Sequence, residues 1–340
     1  MTARSSFTAL QNLTRGLHRT TLAALPPALG FDGDVEYTRQ VELWKKWIEW
    51  EKDDPLELKD DDLPGYKARI LFVYKQSLMA LRFWPEMWYE AAEFCFTVGL
   101  ESEGNDFLTQ GMNANPESCL LAFKRADRVE LTSTNEEGED GMRRRVTAVR
   151  EPYDKTLDAL YALITQTKTR EVLAIARIKE AFVKPPPQSP TGSRDDDEEN
   201  AVETTEDPAE AMQKMQIEAL QRGNVAQIKM LSRTISFVWV ALMRAMRRIQ
   251  GKGKPNDPIG GSRQIFTDAR KRGRLTSDVY IASALIEYHC YKDPAATKIF
   301  EKGMKLFPDD EMFALEYLKH LIAINDITSK YGKPPLRDTC

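Results

Sequence analysis

Cysteine and histidine are scarce in this chain. Cys95, Cys119, Cys290 and Cys340 stand far apart without a CxxC pair, and His18, His289 and His320 are just as scattered. That spacing excludes a zinc finger and a disulfide framework, and it fits a reducing compartment. It also leaves no HExxH, no nucleophile elbow and no Ser/His/Asp or Cys/His arrangement. Long apolar runs are missing: none approaches the roughly 18 residues of a membrane span. The opening MTARSSFTALQNLTRGLHRT lacks the apolar centre of a signal peptide. Glycine-rich GKGKPNDPIGG lacks the GxxxxGK[ST] spacing of a phosphate loop. Asp60–Asp62 and Asp195–Asp197 lie in loop-like sequence without EF-hand spacing, and read as solvated charge. These absences predict no enzyme, no cofactor, no metal, no small-molecule substrate and no membrane.

Strand alternation is absent as well, and the helical period is nearly everywhere. In VELWKKWIEWEKDDP, Trp44, Trp47 and Trp50 recur every third residue, fanning over roughly 120° of a helix. An aromatic face that wide needs a large apolar partner, so the bland reading is helix–helix core. Against it stand a stacking platform for bases and a groove for a partner helix. Further helices are read over 66–83, from Pro85, after Asn115–Pro116, over about 142–184 and from about 209 to 250. Proline or glycine punctuates most of them.

An internal repeat runs through these helices. SRQIFTDA and ATKIFEKG share Ile-Phe and a small residue three beyond, 34 residues apart from Phe266 to Phe300. Val73-Tyr74 with Ser77 fits the same frame. Each such helix follows one with an aromatic, as at Trp44, Trp88, Trp239, Tyr280 or Phe313. Glu51 and Glu287 follow Trp44 and Tyr280 by seven. Two helices per roughly 34 residues is the period of a tetratricopeptide-like solenoid. The expected core is therefore Trp44, Trp47, Tyr74, Trp88, Trp239, Phe266, Tyr280, Phe300 and Phe313, with the small residues allowing close approach.

The net charge of −4 hides a segregation. Residues 190–210 hold nine acids and one base, while 229–274 hold twelve bases and two acids. The Pro-rich acidic stretch 184–210 cannot bury enough surface to offset its ordering entropy, which predicts a disordered insert. In the basic stretch, Arg244, Arg247 and Arg248 share a helix face. Lys252 and Lys254 continue it, and Arg270, Lys271, Arg272 and Arg274 close the next helix. Three readings stay open: RNA backbone contact, docking to an acidic protein surface, and a solvated face. RKRGR at 270–274 also has the composition of a nuclear import signal.

The aromatic-x-x-aromatic-x-x-x-Glu helix followed by Ile/Val-Phe/Tyr and a small residue resembles the HAT (half-a-TPR) repeat. Longer stretches narrow the likeness, among them QVELWKKWIEWEKDDPLELKDDDL and DVYIASALIEYHCYKDPAATKIFEKGMKLFPDDEMFALEYL. They resemble the HAT-repeat scaffold subunit of the mRNA cleavage and polyadenylation machinery. That family comprises the large subunit of cleavage stimulation factor and its fungal counterpart in cleavage factor IA. The resemblance covers roughly residues 8–326. It implies an all-α superhelix in two HAT halves, a nuclear location, self-association through the second half, and other cleavage and polyadenylation subunits as partners, with pre-mRNA a further candidate. Splicing or ribosome-biogenesis HAT scaffolds are the alternative. The expected organisation is an N-terminal extension 1–34, repeats 35–183, the insert 184–210, repeats 211–326 and an off-pattern tail 327–340. The chain departs from the family at both ends, which predicts a truncated form with the partner-binding tail missing.

Overall fold

A computed structural model describes residues 3–19, 23–28, 30–133, 138–182, 208–256 and 260–331. Of the stretch 184–210 read as a disordered insert, 184–207 lies outside them, as do the last nine residues, while 208–210 are helical and open the helix that follows. Among the described residues every regular element is helical. Contacts gather them into two compact units, residues 1–157 and 158–340. The division falls inside a long helix, upstream of the insert.

The first unit opens with α1 (Ala3–Leu13), α2 (Asp34–Lys52), a single turn α3 (Leu58–Asp61) and α4 (Leu63–Ala80). The stretch read as an N-terminal extension packs on the unit: Ser6 donates to the Pro55 carbonyl at 3.2 Å, and Leu10, Leu13 and Leu17 lean on the core. α2 buries Trp44, Trp47 and Ile48, with the two indoles stacked at 5.5 Å. α4 answers with Ile70, Val73, Tyr74 and Leu78, and buries Ser77 fully, its hydroxyl donating to the Tyr74 carbonyl at 2.8 Å. Each fully buried large apolar chain contributes about 1.5–3 kcal/mol. Asp62 caps α4, its carboxylate accepting from Gly65 N at 3.0 Å, and Pro64 occupies the first turn, where no amide is missed.

α5 (Pro85–Thr97) starts at its proline and pairs with α6 (Glu101–Ala114). The sequence reading passes over α6 because its apolar face is thin. Gly104 and Gly111 carry the contact instead: a Cβ on Gly111 would meet Trp88 Cβ at 2.9 Å. Small residues let the backbones approach, a signal that apolar periodicity does not detect. α7 (Cys119–Thr132) is capped by Ser118, and its Phe123 meets Tyr153 of the 43-residue α8 (Glu139–Ala181) at 5.4 Å.

The second unit takes the rest of α8 with α9 (Pro208–Gln250), α10 (Gly261–Arg272), α11 (Ser277–Leu285), α12 (Ala295–Leu306) and α13 (Glu311–Tyr331). The stretch 327–331, read as the start of an off-pattern tail, continues α13 as helix. The core is a chain of rings. Phe266 of α10 meets Tyr280 of α11 edge-on at 5.2 Å; Tyr280 meets Phe307, Phe307 meets Phe313, and Phe313 meets Phe300. Gly303 lies directly under the Phe313 ring, which a Cβ would strike. After Leu285 the helix widens into one π turn, Ile286–Cys290, and then breaks at Lys292 with φ 50°.

Candidate functional site

The nine aromatics expected in the repeat core, from Trp44 to Phe313, are each at most 9% exposed. Trp44 and Trp47 are therefore not a platform open to bases. The glutamates that follow them seven residues after an aromatic are also buried, and each is clamped. Glu51 accepts from Trp47 Nε1 at 3.2 Å and from Arg69 Nε and Nη2 at 2.9 and 3.0 Å. Glu287 accepts from Arg263 Nε and Nη2 at 2.6 and 2.8 Å. Arg263 also reaches Asp293 at 3.0 Å, and Lys252 donates to the same carboxylate. That lysine and the Ala295 amide hold the Asp293 carboxyl at about 2. The Glu287 bond raises Arg263 above the usual guanidinium value. A buried carboxylate stripped of its partner is strongly destabilising, so these bidentate pairs hold the fold and are committed to it.

Other titratable groups are locked by burial. The Cys95 and Cys119 thiols are pushed up to about 11, chiefly by desolvation. His320 is lowered, first by desolvation and then by the charge of His289; its Nε2 lies 3.0 Å from Thr297 Oγ1. Among the described residues no group of three or more His, Cys, Asp or Glu gathers to hold a metal.

The basic set is divided by the structure. Arg244, Arg247 and Arg248 lie on the last turns of α9, and Lys252 and Lys254 in the loop that follows, near the start of α10. Arg270, Lys271, Arg272 and Arg274 lie at the other end of α10, about 18 Å away by helical rise. At that far end two of the four are engaged. Arg272 pairs with Asp158 at 2.5 Å and lies over the Tyr161 ring, and half-buried Arg270 lies over Phe266. Tyr161 in turn donates to the Gly273 carbonyl at 2.8 Å and accepts from Trp239 Nε1. The helical 270–272 run, with two cations stacked on rings, does not offer the extended free chain of an import signal. Lys271 and Arg274 are exposed.

At the near end Lys252 belongs to the Asp293 cluster, while Arg244, Arg248 and Lys254 are exposed. The structure adds residues the sequence reading misses. Arg247 Nη1 reaches Cys290 Sγ at 3.5 Å, so the π turn lies against the basic face of α9. It brings half-buried Tyr291, with Lys252 Nζ 5.5 Å from its ring, and exposed Lys292. No local spacing links these to residues some forty positions earlier; only the packing of α11 on α9 does.

Comparison with known proteins is consistent across nearly the whole chain. The family model described as Suppressor of forked protein (Suf) matches residues 1–330. The mRNA 3'-end-processing protein rna14 of Aspergillus fumigatus is 64% identical over 327 residues, 96% of this chain and 31% of that protein. The Neurospora crassa protein rna-14, also named for mRNA 3'-end processing, is 52% identical over 97% of this chain and 28% of its own length. A Schizosaccharomyces pombe relative of the same description is 26% identical over 97% of this chain and 37% of its own length. The chain thus spans about a third of the length of the curated relatives it matches.

Proposed function

The chain belongs to the Suppressor of forked protein (Suf) family, and from that premise we propose that it is a non-enzymatic scaffold of nuclear pre-mRNA 3′-end cleavage and polyadenylation. In this reading its helical repeats assemble other subunits of the processing machinery. The observation that carries it is the 64% identity, across 96% of the chain, to a relative named for 3'-end processing. The physical chemistry supports it. The buried carboxylates Glu51 and Glu287 are neutralised in clamps, the Cys95 and Cys119 thiols are raised by burial, and the nine repeat-core aromatics are spent on helix–helix contact. What the fold leaves to a partner is surface. The HAT-repeat organisation, with an acidic insert between two sets of repeats, is part of the same proposal.

Affinity purification of the full chain from nuclear extract, with identification of the copurifying proteins, tests it. Subunits of the cleavage and polyadenylation machinery are the expected result. Enrichment of splicing or ribosome-biogenesis factors in their place would overturn it.

A further inference from the structure

The near end of the α9–α10 pair is a composite surface drawn from three places in the sequence. α9 supplies Arg244 and Arg247, the following loop Lys254, and the segment after the π turn Tyr291 and Lys292. Arg244, Lys254 and Lys292 form no ion pair among the described residues. Among the described residues, the acids paired at this surface are neutralised: Asp293 by Lys252 and Arg263, Glu287 by Arg263. Among the described residues three cations are thus left without carboxylates: exposed Arg244 and Lys254, and exposed Lys292, whose Nζ lies 5.0 Å from the Tyr288 ring, next to half-buried Tyr291.

Two macromolecular partners suit a basic surface, an acidic protein and a nucleic acid. A protein partner takes most of its binding energy from apolar anchors at the centre of an interface. Between residues 238 and 305 no large apolar side chain is exposed among the described residues; Phe237 and Leu306 are the flanking ones. Cations interleaved with an aromatic, on a surface whose nearest exposed apolar neighbour along α9, Phe237, lies two turns before Arg244, suit a phosphate backbone with a stacked base. We propose that this surface binds single-stranded RNA, with Arg244, Lys254 and Lys292 on phosphates and Tyr291 beneath a base. The choice of RNA over DNA rests on the 3′-end-processing reading; the charge and stacking chemistry does not. Lys252 and Arg272, also candidates by sequence, are assigned to structural ion pairs instead, and Arg270 is half-buried at the far end of α10.

The test is fluorescence anisotropy of the purified full chain with fluorescein-labelled oligouridylate. Wild-type affinity should fall steeply with salt, by about 0.7 in log–log slope for each phosphate contact. Arg244→Glu with Lys292→Glu should weaken binding at least about tenfold and flatten the slope by roughly 1.4. Arg244→Gln with Lys292→Gln should do the same to a smaller extent, and guards against any misfolding of the charge-reversed pair. Tyr291→Leu should weaken binding about tenfold while leaving the slope unchanged, the mark of lost stacking. Lys271→Glu with Arg274→Glu, at the far end of α10, should change affinity less than about twofold. Absence of wild-type binding overturns the proposal, and so does an equal loss from the near and far pairs. Copurification of processing factors with the Arg244/Lys292 variant reads the scaffold function separately, so each reading can fail without the other.

Discussion

Glu51 in the first unit and Glu287 in the second occupy the same place in the same helical pattern, seven residues after an aromatic, and both are buried. Their arginines come from opposite directions. Arg69 lies on α4, the helix that follows; Arg263 lies on α10, the helix that precedes. The Glu51 site is a closed unit of one carboxylate, one guanidinium and one indole N–H. The Glu287 site is one end of a network that runs through Arg263 and Asp293 to Lys252, tying α10, the π turn and the α9–α10 loop together. The repeat pattern fixes a buried carboxylate. Neutralising it matters, because an unpaired buried charge takes a large share of a domain's stability. Which neighbouring helix supplies the arginine is left free.

The largest expected effect tests the core beneath the first clamp. Trp47→Ala removes a buried indole and one donor to Glu51, and should cost about 3–5 kcal/mol. An unchanged denaturation midpoint would mean that Trp47 contributes little to the core. Next comes the pair comparison itself. Arg263→Met strips the buried Glu287 and frees Asp293 from one partner, for a loss of up to about 3–5 kcal/mol. Arg69→Met leaves Glu51 the indole donor, and should cost less, about 1–3 kcal/mol. Urea denaturation of both variants reads the difference; equal losses would erase the distinction between closed pair and network.

A smaller effect separates the units by pH. The folded-state value of His320 is lowered, so the folded form disfavours protonation more than the unfolded chain does. Stability from this site is complete above the ordinary histidine range and declines as pH falls through it. Asp293 adds a second limb, lost as pH falls from the ordinary aspartate value of 3.8 toward about 2. Thermal melts should therefore show the second unit weakening on mild acidification, and His320→Gln should remove the first limb while the second remains. A wild-type midpoint flat through the histidine range would contradict this. The smallest effect on stability is expected at α13, where Met312, Leu315, Leu318 and Ile322 form an exposed apolar stripe. Such a stripe favours self-association. Light scattering should show oligomers that Leu318→Glu with Ile322→Glu disperses; a monomer before mutation rules this out.

Much of the core was legible because burial follows a local period. Trp44, Trp47, Tyr74, Phe266 and Phe300 announce their faces within two helical turns. α6 was not, since its contact is made by the absence of side chains at Gly104 and Gly111. The π turn was not either, since nothing in the ALIEYHCYK stretch departs from ordinary helical sequence.

The candidate site was legible in composition and not in geometry. The basic residues between 244 and 274 read as one cluster because they are near in sequence. α10 carries four of them to its far end, Arg272 is taken by Asp158, and Lys252 by Asp293. Lys292 and Tyr291 enter from beyond the cluster. The sequence by itself determined that this is a chain of paired helices, which side chains fill their seams, and that a surplus of cations lies in the second unit. Only the tertiary structure decided which cations are left unpaired and which ring lies beside them. Periodicity and helix breaks act over one or two turns, whereas the pairing of a charge depends on residues brought within a few ångströms from distant parts of the chain.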